Sequence, residues 1–128
     1  MRQFYCPNIS SSIELPEDEA KHAIKVLRMN RGQEFMAIDG KGGLYHCKIS
    51  SISGKQCAFE IIDKELCQPL TPHVHIAIAP TKNNDRFEWF LEKACEIGIS
   101  RITPILCEQS ERKVIKRDRF NRILVSAM

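Results

Sequence analysis

The sequence predicts a mixed α+β chain in which a small β-barrel precedes the first β-α-β-α portion of an α/β domain. Three observations carry this expectation. Between residues 34 and 62, apolar and polar residues alternate in short runs separated by glycine-containing turns, the period of half-buried strands. Between residues 73 and 106, two apolar runs flank a segment of helical period, which is the pattern of a β-α-β unit. Between these stretches lies Gln68-Pro69-Leu70-Thr71-Pro72, proline-rich and without periodicity, a natural linker. The expected domains are therefore residues 1–70 and 71–128. At 128 residues and 43% hydrophobic content, the chain can support one modest core or two small ones.

Each element has its own warrant. Residues 2–5 and 10–15 are plausible strands. Pro16 opens a helix at a position where its missing N–H costs nothing. Glu17, Asp18 and Glu19 complement the positive end of that helix dipole, and Ala20, Ala23, Ile24 and Leu27 form its buried stripe. Gly32 is expected to end the run after a basic exit. Residues 34–39 and 44–50 form a hairpin through Asp39-Gly40-Lys41-Gly42-Gly43, where glycine permits positive φ. A further strand over 56–62 follows Ser53-Gly54-Lys55, with Cys57, Phe59 and Ile61 alternating on one face. So many short strands in so few residues suggest a closed or nearly closed barrel.

Beyond the linker, residues 73–79 read as a strand, and Asn84 or Asp85 as the cap of a helix whose apolar face is Phe87, Phe90, Leu91, Ala94 and Ile97. Asp85 and Glu88 make a capping-box-like pair. Gly98 supplies a left-handed stop, and residues 101–106 form the second, parallel strand. A last helix over 118–128 has Asp118 as its cap and Phe120, Ile123, Leu124 and Ala127 on one face. Two strands and two apolar helix faces cannot bury themselves as an independent α/β domain. The expectation is a fragment, or a second half that needs a partner.

The net charge of +3 is unevenly placed: residues 1–72 carry nine Lys/Arg and nine Asp/Glu, residues 73–128 ten and seven. In the stretch 112–122, Arg112, Lys113, Lys116, Arg117, Arg119 and Arg122 face only Asp118. Such a run attracts phosphates, and equally suits an ordinary solvated surface. No apolar run approaches the roughly 20 residues of a membrane span, and no signal-peptide core precedes the early acidic cluster. The chain reads as cytoplasmic. Six cysteines, spread widely without a CxxC pair, suggest reduced packing residues. His73 and His75 would share a strand face but lack a third ligand, so no metal site is expected.

Several motifs in order and spacing carry a resemblance over nearly the whole chain. They are MRQF at the start; His22 with Val26-Leu27-Arg28 and Gly32; Asp39-Gly40 with Gly42; Lys82 with Asp85-Arg86; Glu88; Glu92-Lys93-Ala94 with Glu96 and Gly98; Ile102 with Pro104; and Ser110-Glu111-Arg112. Together they resemble the bacterial RsmE-type family, which methylates N3 of a uridine in 16S ribosomal RNA using S-adenosylmethionine. The resemblance implies a PUA-like β-barrel that helps hold RNA, then a SPOUT methyltransferase domain with a carboxy-terminal knot, acting as a homodimer on the small ribosomal subunit. In that family the S-adenosylmethionine site is built from glycine-rich loops of the knot, including a GPEGG-like segment. No glycine follows Gly98 here, so the cofactor site is expected outside this chain, and these residues alone are expected to be inactive. Lys113 stands where the family often has serine.

Methylation of uridine N3 requires loss of the imide proton, in-line placement of the nitrogen lone pair, and stabilisation of the charge that develops on uracil. Basic side chains suit the third requirement. Arg112, by its place in the motif, is the one catalytic candidate. The RNA-binding candidates are Arg2, Arg28, Arg31, Lys41, Lys82, Arg86 and Arg112. Lys82 and Arg86 stand at the carboxyl end of the first strand of the α/β unit, Arg28 and Arg31 follow the early helix, and Lys41 lies in the glycine turn. His22 is read as structural, and Trp89, off the main apolar face, as packing against the barrel or a second subunit. The competing reading is a self-contained RNA-binding module whose α/β piece dimerises and catalyses nothing.

Overall fold

Alternation and glycine turns do set the first part of the chain. The computed structural model describes residues 1–128 and contains two units, Met1–Gln68 and Pro69–Met128. In the first unit the elements are β1 (Gln3–Tyr5), α1 (Glu17–Lys21), β2 (Glu34–Ile38), β3 (Gly43–Ser53) and β4 (Gln56–Leu66). The sheet order is β1-β2-β3-β4, with β1 parallel to β2 and the other pairs antiparallel. A parallel pair needs a crossover, which residues 6–33 supply with α1. Inward residues alternate: Phe35 and Ala37 on β2, Tyr45, Cys47 and Ile49 on β3, Cys57 and Phe59 on β4. Phe4, Phe35 and Phe59 form an edge-to-face series with centroids 5.2 and 5.5 Å apart, and Ala20 and Ala23 cover it from the helical side.

Several expectations are corrected here. Residues 10–15 make no full strand; they turn, and touch β4 only through a bridge at Glu14–Ala58 and the bonds Leu15 N–H to Cys57 O and Phe59 N–H to Ile13 O. The ladder does not run on from there to β1, so the barrel is open at that seam. Ile61 keeps the face of Phe59, pairing with the inward Cys47 as Phe59 pairs with Ile49, but it is 41% exposed rather than buried. The early helix stops before Gly32. From His22–Val26 it widens into a π-turn, closed by Leu27 N–H to His22 O at 3.0 Å, and Arg28 then takes a left-handed φ of 50°. Gly32 instead serves the turn into β2, donating to Ile49 O.

The β2–β3 turn is built on Asp39. Its carboxylate accepts N–H bonds from Lys41 (2.7 Å) and Gly43 (2.9 Å) and the Tyr45 hydroxyl (3.1 Å). Gly42, at φ 94°, leaves no room for a Cβ, which would meet Cys67 O at 2.9 Å.

The second unit contains β5 (His75–Ile78), α2 (Asn84–Ile97), β6 (Arg101–Pro104) and α3 (Arg117–Ala127). β5 and β6 pair in parallel, His75 opposite Arg101 and Ile78 opposite Pro104. Phe87, Leu91 and Phe120 are buried where α2 and α3 meet, packed by Ile78, Ile102, Ile123 and Leu124. β6 ends at Pro104 rather than 106 because its partner β5 ends at Ile78. The cap of α2 is Asn83, one residue earlier than expected, whose side chain accepts the Asp85 N–H at 2.8 Å. α3 begins at Arg117 after Lys116, and Asp118 acts in its first turn rather than as its cap. Ile97 departs from the buried stripe at 70% exposure, since α3 covers only the Phe87–Ala94 part of that face. Gly98, with φ 91°, ends α2 as expected. No helix is long and apolar enough to cross a membrane.

Candidate functional site

In the second unit the carboxyl end of β5 gathers the charged groups. After Pro80 the chain bends into α2, and the Thr81 hydroxyl donates to Asn83 O at 2.6 Å, which sets Lys82 outward at the strand-to-helix turn. The irregular segment after β6 returns over this turn. Its Ser110 and Cys107 make a reciprocal pair, Ser110 N–H to Cys107 O and Cys107 N–H to Ser110 Oγ, both at 2.9 Å. Glu111 then meets Lys82 Nζ at 3.1 Å, and Arg112 Nη2 donates to Lys82 O at 2.8 Å. In the Ser110-Glu111-Arg112 motif, the serine thus closes a turn, the glutamate forms an ion pair and the arginine acts as a strap. The exposed ion pair contributes about 1 kcal/mol or less. Arg112 Nε and Asn84 Oδ1 are buried without a partner. Arg86 lies exposed in the first turn of α2 and makes no ion pair.

Along α2 and α3 the basic run is divided by its partners. Glu88 does not close a capping box; it takes Arg119 through two bonds of 2.5 and 3.0 Å. The guanidinium holds the Glu88 carboxyl below the usual range, and Glu88 in turn raises Arg119. Lys93 lies between Glu92 (2.8 Å) and Glu96 (3.0 Å), bonds that push its ammonium pKa up. Of the cations between 112 and 122, Arg119 is neutralised and Arg112 is engaged as a strap, while Lys113, Lys116, Arg117 and Arg122 form no ion pair, Arg122 donating to Asp118 O at 3.4 Å within α3. The Glu88–Arg119 clasp joins residues 31 apart, and no local signal announces it. His73 and His75 face Ser100 and Thr103 hydroxyls at 3.3 and 2.7 Å. Trp89 is exposed.

In the first unit, Arg28 and Arg31 line one hollow of about 500 Å³ with Ile24, Met29 and Ile52. Arg2 and Lys41 do not join them: Arg2 precedes β1, and Lys41 sits in the Asp39 turn. The seven basic candidates therefore fall into two local groups, one on each unit, with Arg2 and Lys41 apart. His22 is exposed but sets its ring edge against Phe4, with centroids 6.3 Å apart.

The residues present do not build an S-adenosylmethionine site of the glycine-loop kind. The hollow beside β6, about 570 Å³, is lined by Arg101, Thr103, Ile115, Arg117, Phe120 and Asn121. Its two guanidinium groups carry the same sign as a sulfonium, and nothing from residue 99 to 128 is glycine.

Comparison with known proteins is consistent along the chain. Residues 15–62 match the family described as RNA methyltransferase PUA domain, and residues 68–128 match the RNA methyltransferase domain. The chain belongs to the RNA methyltransferase family that these two domains describe. A curated relative, the ribosomal RNA small subunit methyltransferase E of Synechocystis, is 28% identical over 122 residues, covering 93% of this chain and 39% of the relative. The crystal structure of a probable rRNA-methyltransferase from Porphyromonas gingivalis shares 42% identity at a TM-score of 0.93, covering 100% of this chain and 54% of that one. Ribosomal RNA small subunit methyltransferase E of Neisseria gonorrhoeae, solved bound to S-adenosyl methionine, shares 27% identity at a TM-score of 0.80, over 99% of this chain and 55% of that one. The chain spans about half the length of these solved relatives.

Proposed function

We propose that the whole protein is an S-adenosylmethionine-dependent methyltransferase that modifies N3 of a uridine in 16S ribosomal RNA, acting in the cytoplasm as a homodimer on the small ribosomal subunit. Residues 1–70 hold the RNA, and residues 71–128 are the first part of a SPOUT domain. What supports this reading above all is the overlay of the whole of this chain on 54% of the probable rRNA-methyltransferase from Porphyromonas gingivalis, at a TM-score of 0.93. The cofactor is held by residues other than these, and the 128 residues alone transfer no methyl group.

The contribution of this chain is electrostatic. Uracil gains negative charge as its imide proton leaves, and a fixed guanidinium stabilises that charge without reorganising at the moment of reaction. Arg112 meets that requirement because its bond to Lys82 O pins the side chain at the carboxyl end of β5. Lys82 and Arg86 flank it and hold RNA phosphates; Arg2, Arg28, Arg31 and Lys41 contact RNA from the first unit. The test is methyl transfer by the full-length protein to small ribosomal subunits, with the modified atom located by blocked reverse transcription. Arg112→Ala lowers kcat/KM by roughly 10- to 100-fold, and Arg86→Ala by less. Full activity in Arg112→Ala, methylation at an atom other than N3, or transfer by the 128-residue chain would refute the proposal.

A further inference from the structure

The first unit is electrically neutral in total, yet its charges are segregated. From residue 20 to 33 the chain carries Lys21, Lys25, Arg28 and Arg31 and no acid. Folding brings a fifth cation to them. A hollow of about 170 Å³ between the helical segment and the β3–β4 turn is lined by Glu17, Lys21, Ile24, Lys25, Gly54 and Lys55. Ile24 is shared with the neighbouring hollow that Arg28 and Arg31 line, whose apolar floor continues through Met29 and Ile52. Five cations and one carboxylate therefore border two adjoining depressions.

None of these five cations forms an ion pair, whereas Lys82, Lys93 and Arg119 of the second unit are each matched by a carboxylate. Holding like charges together without counter-ions works against folding. Backbone strain adds to it: Arg28 sits at φ 50°, a left-handed conformation in which a residue with a Cβ crowds the carbonyl that follows. The π-turn preceding it re-aims the end of the helix, a distortion frequent at functional sites. Of the acidic residues of this unit, Glu17, Asp18 and Glu19 precede the cations in the first turn of α1, with Glu17 at the hollow itself, and Glu60, Asp63 and Glu65 lie along the outer half of β4.

We propose that Lys21, Lys25 and Lys55, continued by Arg28 and Arg31, form a track for the sugar-phosphate backbone of an RNA strand, with Ile24 and Ile52 as its floor. This rests on the RNA-methyltransferase reading above and assigns the RNA face of the first unit. No aromatic side chain lines either depression, so bases find no stacking platform and the track grips phosphate with little regard to sequence. Lys41 lies outside it. The eleven residues of β3 separate its turn from Lys55, a span of roughly 35 Å at strand rise.

The test is fluorescence anisotropy of a labelled, unstructured RNA of about 12 nucleotides binding to the full chain between about 50 and 200 mM salt. The variant K21Q/K25Q/K55Q is expected to bind at least tenfold more weakly at the lower salt, with a log K against log salt slope shallower by about 2, the release expected from three phosphate contacts on a single strand. K21R/K25R/K55R keeps both affinity and slope, and Lys64→Gln, on the outer half of β4, leaves them unchanged. Wild-type affinity and slope in the triple Gln variant would overturn the track. Loss of binding in Lys82→Gln together with wild-type binding in the triple Gln variant would move the RNA to the second unit, overturning the track while leaving the proposed methyl transfer standing. No RNA binding by the wild type at the lower salt would remove both.

Discussion

Removing one ring should undock the last helix. Phe120 is 5% exposed and packs against Phe87 with ring centroids 5.0 Å apart; these two and Leu91 are the buried side chains of the cluster between α2 and α3. Phe120→Ala costs about 3–5 kcal/mol through lost burial and the cavity left behind. The second unit runs only from Pro69 to Met128, and its total stability at 0.05–0.15 kcal/mol per residue is roughly 3–9 kcal/mol. The loss is therefore comparable to everything that holds α3 in place.

Cys95 reports the event directly, because its Sγ donates to Leu124 O at 3.6 Å across the α2–α3 contact, and burial raises its thiol pKa. Exposed Cys107 serves as an internal reference. In native-state alkylation with iodoacetamide followed by mass spectrometry, the ratio of Cys95 to Cys107 modification should rise by about a hundredfold in Phe120→Ala, or until it reaches the exposed-thiol limit. Phe120→Leu, which keeps most of the volume, should give a far smaller rise. A ratio in Phe120→Ala equal to that of the wild type or of Phe120→Leu refutes the claim that this cluster holds α3.

Two further outcomes concern pH. Burial works to raise the Asp39 carboxyl, but it is outweighed by the bonds from Lys41, Gly43 and Tyr45, so the folded pKa lies below the ordinary value. A depressed carboxylate stabilises the fold above its unfolded pKa, near 3.9, and loses that contribution as pH falls through the folded value. Asp39→Asn should therefore lower stability at pH 7 by about 1 kcal/mol, after allowance for solvent screening, and flatten the acid limb of urea midpoint against pH; identical acid limbs would contradict this. At the alkaline end, burial, then Glu19 and Cys47, push the Cys6 thiol up to about 12, and burial pushes Cys47 to about 11. Both thiols ionise earlier in the unfolded chain, so stability present below about pH 8.5 should fall above it, at up to about 1.4 kcal/mol per pH unit for each thiol. The double variant C6A/C47A should lose most of that slope, and an unchanged slope would exclude these thiols as its source.

The elements that were legible in the sequence are those whose cause is local. Alternation placed Phe35, Cys47 and Phe59 inward because a strand repeats every two residues, and Phe87, Leu91 and Ala94 shared a face because a helix repeats every 3.6. Gly98 ended α2 because a left-handed residue was needed there. Motif order likewise identified the family, since spacing survives in a sequence without any contact being known. Errors arose where a competing interaction came from a distance or within a single turn. A π-turn and Arg28 ended the early helix in place of Gly32, Asn83 displaced Asn84 and Asp85 as the cap, and Arg119 drew Glu88 out of its capping box.

The same distinction governs the functional residues. Which positions are basic, and that they follow strand and helix ends, is written in the chain. Whether each positive charge remains available is a tertiary matter, because ion pairs depend on separations of a few ångströms between residues remote in sequence. Folding gave Lys82 and Arg119 their carboxylates, fastened Arg112 to a carbonyl, and left Lys21, Lys25 and Lys55 together around one hollow with no ion-pair partner.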